Sequence, residues 1–76
     1  MQELVEYIAR AIASNPDDVK VTEEVDDDGN ITIKLEVHED DKGKVIGRQG
    51  RVAQAMRVLL RVAAIKDDTR VTLEIV

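Results

Sequence analysis

Cysteine, phenylalanine and tryptophan are missing from this 76-residue chain, and tyrosine, histidine and proline occur once each. Without cysteine there is no disulfide staple, no thiolate nucleophile and no zinc–thiolate site. A chain this short buries only about 60% of its unfolded surface, so its stability rests on an aliphatic core or on association with a partner. The lone aromatic, Tyr7, rules out a platform on which successive bases or rings could stack. The only serine is Ser14, and no acid stands between Gly43 and Lys66 to act as a general base. Neither an enzyme nor a cofactor is expected from such a set. The longest apolar-rich stretch is broken by Arg57 and Arg61, so no membrane span is expected. Met1-Gln2-Glu3-Leu4-Val5-Glu6 carries acids where a secretory signal needs basic residues, and a soluble, cytoplasmic protein is the expectation.

Charge is unevenly spread. The formal net charge is −5, but Met1 to Lys42 holds four basic residues against thirteen acids. From Gly43 to Lys66 there are six basic residues (Lys44, Arg48, Arg51, Arg57, Arg61 and Lys66) and no acid. A local basic field of this kind is what an anion requires, whatever the total.

Hydrophobic periodicity places the elements. Leu4, Ile8, Ala11 and Ile12, widened by Val5, predict a helix from Gln2 to Ser14, stopped by Asn15-Pro16. A strand is expected from about Val19 to Val25, with Val19, Val21 and Val25 apolar. Asp26-Asp27-Asp28-Gly29-Asn30 then reads as a hairpin turn. Ile31, Ile33, Leu35 and Val37 alternate strictly with polar residues, the pattern of a strand with one buried face. Glu39-Asp40-Asp41 can cap a short helix from Asp40 to Ile46. A longer helix follows from Arg51 to Lys66, and Val71, Leu73 and Ile75 form a last strand. The order is α-β-β-α-α-β, an α+β chain, with one domain expected over residues 1–76.

Two side motifs carry little chemistry. Glu24 to Ile31 mimics the start of a calcium loop, but position 12 is Leu35 instead of a bidentate glutamate, and strands flank it. His38, beside Glu39-Asp40-Asp41, has no convergent partners for catalysis or metal binding.

The informative stretch is Gly43-Lys44-Val45-Ile46-Gly47-Arg48-Gln49-Gly50-Arg51. Two glycines separated by a basic and a polar residue make a tight loop whose backbone can approach a ligand closely. The helix beginning at about Gly50 or Arg51 aims its unpaired N–H groups and positive dipole end back into that loop, which suits a phosphate. These residues match the G-x-x-I-G-x-x-G pattern of KH domains. With the element order and length, the whole chain resembles the small bacterial single-domain type II KH proteins of the KhpA (YlqC-like) family.

The resemblance implies a three-stranded mixed sheet, its second and third strands adjacent and parallel, with the helices on one face. It implies a single-stranded RNA-binding protein, an RNA chaperone or post-transcriptional regulator, that forms homodimers or heterodimers with a larger Jag/KhpB-type RNA-binding protein. The site carried over comprises Gly43, Lys44, Val45, Ile46, Gly47, Arg48, Gln49, Gly50, Arg51 and Val52. Backbone N–H groups of the loop with Lys44, Arg48 and Arg51 are expected to meet phosphates. Val45, Ile46, Val52 and a strand residue near Val37 are candidates for an aliphatic base groove, although Val45 and Ile46 could equally be core. An adaptor on a KH fold that no longer binds RNA is the rival reading.

The last helix has an apolar surplus. Between Val52 and Ile65 only Gln54, Arg57 and Arg61 are polar, forming one stripe that continues back to Arg51. Covering a small sheet needs about a third of a helix surface. Exposed apolar residues among Val52, Met56, Val58, Leu59, Leu60 and Val62 would mark an interface, unless the spare positions are only Ala53, Ala55, Ala63 and Ala64.

Overall fold

The computed structural model describes all 76 residues. Helix α1 spans Gln2–Ile12, strands β1 and β2 span Lys20–Val25 and Ile31–Glu36, helices α2 and α3 span Lys42–Ile46 and Arg51–Lys66, and strand β3 spans Val71–Ile75. The sheet order is β1-β2-β3. β1 and β2 form an antiparallel hairpin in which Lys20 pairs with Glu36 and Val25 with Ile31. The turn is closed by Asp26, whose Oδ1 accepts from the N–H groups of Asp28 and Asn30 at 2.9 Å each. The Asn30 N–H is the chief cause holding the Asp26 carboxyl below its ordinary pKa. The acidic cluster is therefore explained as turn chemistry.

β2 and β3 run parallel, Ile31 opposite Val71 and Leu35 opposite Ile75. Parallel neighbours need a long crossover, and α2, the glycine loop and α3 make up that crossover. The mixed sheet and the order α-β-β-α-α-β agree with the sequence reading.

The strict alternation of β2 does what it implied: Ile33 and Leu35 are wholly buried. They meet Val5 and Ala9 of α1, Val19, Val21, Val37, Val45, Leu73, and Met56 and Leu60 of α3 in one core. No aromatic enters it, and Tyr7 is exposed.

Several expectations shift. α1 ends at Ile12, with Ala13 already extended, because the chain at Ser14 and Asn15 turns its N–H groups toward Asp41. Its buried face centres on Val5 and Ala9 instead of Leu4, Ile8 and Ile12; Leu4 and Ile12 lie near the rim. Val25 is exposed at the hairpin end of the sheet. Glu39–Asp41 is a separate 3-10 turn, capped by His38 Nδ1, which accepts the Asp40 N–H at 3.0 Å, so α2 begins only at Lys42.

A glycine loop at a helix N-terminus

Gly47 and Gly50 bracket a single tight turn between α2 and α3. Gly47 has φ 81° and ψ 170°, a region open in practice to glycine alone. A Cβ there would lie 2.5 Å from Val52 Cγ2 and 2.8 Å from Val52 N, so the backbone of Gly47 is pressed onto the first turn of α3. Gln49 (φ 57°) and Gly50 (φ 73°) are both left-handed, which swings the chain directly into α3.

The loop divides its N–H groups. Gly47 donates to Gly43 O at 2.9 Å and Gly50 to Gly47 O at 3.1 Å, while Arg51 donates to Arg48 O. The N–H groups of Arg48 and Gln49 find no acceptor within the chain. Arg48, Gln49 and Arg51 are exposed, and Arg51 Nη2 lies 3.4 Å from Gln49 Oε1. Two open donors, two guanidinium groups and the positive end of a 16-residue helix thus share one corner, an arrangement whose chemistry suits an anion.

The residues singled out from the sequence do not all reach that corner. Val45 is completely buried and offers no surface to a base; it belongs to the core, as does Val37. Ile46 is 40% exposed and Val52 half-buried, which leaves these two as the aliphatic surface beside the loop. Gly43 is helical in α2 with open space around it. Lys44 is turned toward the end of α1, where its Nζ donates to Ser14 Oγ and lies 4.0 Å from Asp41 Oδ1.

Asp41, which in the sequence reads only as one of three acids able to cap a helix, makes no capping bond to α2. It is 1% exposed. Oδ1 accepts the Ser14 N–H at 3.1 Å, and Oδ2 accepts the Asn15 N–H at 2.9 Å and Asn15 Nδ2 at 3.2 Å. Burial by itself pushes the carboxyl pKa up, but those donors from Asn15 and Ser14, with the Lys44 ammonium, outweigh it and hold the group below its ordinary value. The charge is therefore kept and fully paired.

α3 presents two further surfaces. At roughly 100° per residue, Val58, Val62 and Ile65 share one direction, opposite to buried Met56 and Leu60, and all three are exposed together with Leu59. Of the four spare alanines Ala53 and Ala64 are buried, while Ala55 is exposed and Ala63 half-buried, so the surplus includes large side chains beside small ones. Arg57 and Arg61 lie on the flank toward β3, where Arg57 Nη2 reaches Leu73 O at 3.4 Å, and Arg61 lines a groove with Ile65, Arg70 and Thr72. No helix is long and apolar enough to cross a membrane.

The KhpA/KhpB KH-domain model matches residues 2–75. The RNA-binding protein KhpA of Halalkalibacterium halodurans is 51% identical over 76 residues, covering all of this chain and 99% of that one. That of Caldanaerobacter subterraneus is 50% identical over the full length of both chains. That of Treponema pallidum is 44% identical over 75 residues, covering 99% of this chain and 92% of the relative. No solved structure gives a significant match.

Proposed function

Because the chain belongs to the KhpA/KhpB family of KH domains, we propose that it binds single-stranded RNA through the Gly47–Gly50 loop, in the cytoplasm and without a cofactor. The observation that carries this is the pair of open N–H groups at Arg48 and Gln49, flanked by the Arg48 and Arg51 guanidinium groups at the N-terminus of α3. Phosphates dock there and fix the strand, while bases lie against aliphatic surface such as Ile46 and Val52. The polar flank of α3, from Arg51 through Gln54 to Arg57 and Arg61, offers the strand a continuation toward β3. With Tyr7 on α1 the only aromatic of the chain, there is no platform of stacked rings, base contacts are aliphatic and sequence preference is weak.

Salt tests the phosphate contacts. Lys44 is already engaged by Ser14 and Asp41, which leaves Arg48 and Arg51 as the free charges of the loop. At about −0.7 per phosphate contact for single strands, log K against log salt should fall with a slope of roughly −1.4, compared with roughly −2 if Lys44 joins them. A slope near zero would remove phosphate contacts from the mechanism.

The exposed stripe of Val58, Leu59, Val62 and Ile65 supports a second element of the proposal: two copies, or one copy and a KhpB-type partner, meet through α3. Val58→Glu or Leu59→Glu places a charge on exposed surface, so the fold should be kept to within about 0.5 kcal/mol while the dimer dissociates. Leu60→Glu, one residue further on and 1% exposed, should instead unfold the domain, since an unpaired buried charge costs several kcal/mol or so. Analytical ultracentrifugation beside circular dichroism separates these outcomes. A wild-type chain that stays monomeric at high micromolar concentration excludes the homodimer.

A further inference from the structure

We propose that Asp41 is a positioning residue for RNA binding: by clasping the end of α1 it holds α2, and through α2 the loop, in place against α3. The proposal rests on the loop being the RNA site, and it concerns a residue that makes no contact with the loop itself.

The argument begins with the size of α2. Its five residues are far too few to hold a helix in water, where isolated helices need about 12–15. Its conformation is imposed from outside, by packing on α3 and by anchors of its own, of which Val45 and Asp41 are the two buried side chains. Val45 inserts into the core from the middle of the helix, which fixes depth but leaves rotation about that point. Asp41, at its N-terminal end, fixes the rest through three N–H donors from Ser14 and Asn15. These partners are 26 and 27 residues away in the chain, so the clasp joins two separate parts of the fold.

The clasp is also directional. Each carboxylate oxygen has its own donors, Ser14 N for Oδ1 and both nitrogens of Asn15 for Oδ2. Rotation of the carboxylate would break two or more bonds at once. Lys44, one turn along α2, closes the arrangement by bridging back to Ser14 Oγ and Asp41.

What α2 carries at its other end is the loop. The Gly47 N–H belongs to the last turn of α2, bonded to Gly43 O, and Gly47 itself is pressed against Val52. From Asp41 to Gly47 the lever is only about 9 Å long at 1.5 Å per residue. A tilt of α2 therefore appears directly as a shift of Gly47 relative to α3, and it carries the open Arg48 and Gln49 N–H groups away from the N-terminus of α3.

The sign of one substitution separates positioning from charge. Asp41→Asn removes a negative charge beside Lys44 and frees that lysine, so by electrostatics alone RNA binding must tighten. Positioning demands the reverse. If the loop is competent in about one fifth of molecules, apparent affinity falls about fivefold. Asn15→Ala removes one donor and no charge, and should weaken binding about twofold by the same arithmetic, with the salt slope unchanged.

The experiment measures both variants and the wild type by fluorescence anisotropy on a labelled single-stranded oligouridine RNA, at a temperature where circular dichroism shows them folded. Amide hydrogen exchange is followed in parallel. The N–H groups of Gly47 and Gly50 should exchange faster in both variants, while those of Ile33 and Leu35 stay protected. If Asp41→Asn does not fold, Asn15→Ala decides. Folded variants that bind as tightly as wild type or tighter, with unaltered exchange at Gly47 and Gly50, overturn the proposal. A wild-type chain that ignores the RNA overturns the reading of the loop instead, and the exchange rates still report whether Asp41 positions it.

Discussion

Replacing Arg48 and Gln49 together by aspartate is expected to abolish RNA binding while leaving the melting temperature almost unmoved. Both positions are exposed, and the two glycines that shape the turn remain. Gln49 is left-handed, a conformation that aspartate tolerates better than glutamine does, so the backbone loses nothing. Binding loses on three counts. The Arg48 charge-assisted bond is worth about 1.5–3 kcal/mol. Each new carboxylate about 4 Å from a phosphate costs about 1 kcal/mol even in water. Arg51, now 3.4 Å from a glutamine oxygen, acquires an acid to pair with and is drawn off the RNA. Together this amounts to roughly 3.5–5 kcal/mol, or at least two orders of magnitude in affinity. Titration of a labelled single strand with the folded double variant reads the effect. Undiminished binding would make the loop a mere corner between helices, and the adaptor reading would take over.

The glycines should separate sharply under substitution by alanine. Gly47→Ala combines a backbone region that costs about 1–3 kcal/mol for any other residue with a Cβ 2.5 Å from Val52 Cγ2 and 2.8 Å from its backbone nitrogen. The second distance cannot be relieved by a rotamer change, so α2 and α3 must move apart. A total cost of about 3 kcal/mol or more is expected, a large share of the stability of a domain this small. Gly50→Ala meets open space and bears only the left-handed penalty of about 1–2 kcal/mol. Gly43→Ala, inside α2 with nothing near its added methyl, should stabilise by about 0.5–1 kcal/mol. Urea denaturation of the three variants gives the ranking directly; a Gly47→Ala chain as stable as Gly50→Ala would mean that the approach to Val52 is not tight in solution.

The loop and most of the fold were legible because their causes are local. Two glycines at fixed spacing ahead of an apolar helix, and the alternation from Ile31 to Val37, need no knowledge of distant residues. Asp41 could not be read that way. Its partners lie on the far side of the hairpin in sequence, and an acid ahead of a helix has an adequate local explanation as a cap. The phase of α1 was displaced for a different reason: Leu4, Val5, Ile8, Ala9 and Ile12 make a stripe wide enough to centre on either edge, and the sheet it packs against decides. Val45 and Ile46 are adjacent aliphatics on a helix of five residues, too short for periodicity to assign one inward and the other outward.

The border of the exposed stripe on α3 ties the two proposed activities together. Arg51, Arg61 and Lys66 surround it, and no acid occurs between Gly43 and Lys66. If two copies meet through this helix as proposed, the contact brings the basic residues of both Gly43–Lys66 segments close together, and their mutual repulsion opposes it. A bound polyanion neutralises part of that rim, lowering the repulsion that the contact must overcome. On those two proposals, occupancy by RNA and self-association would favour each other, and by thermodynamic reciprocity to the same degree. Added salt acts on the two equilibria in opposite senses, loosening the nucleic acid by counterion competition while screening the repulsion between protomers.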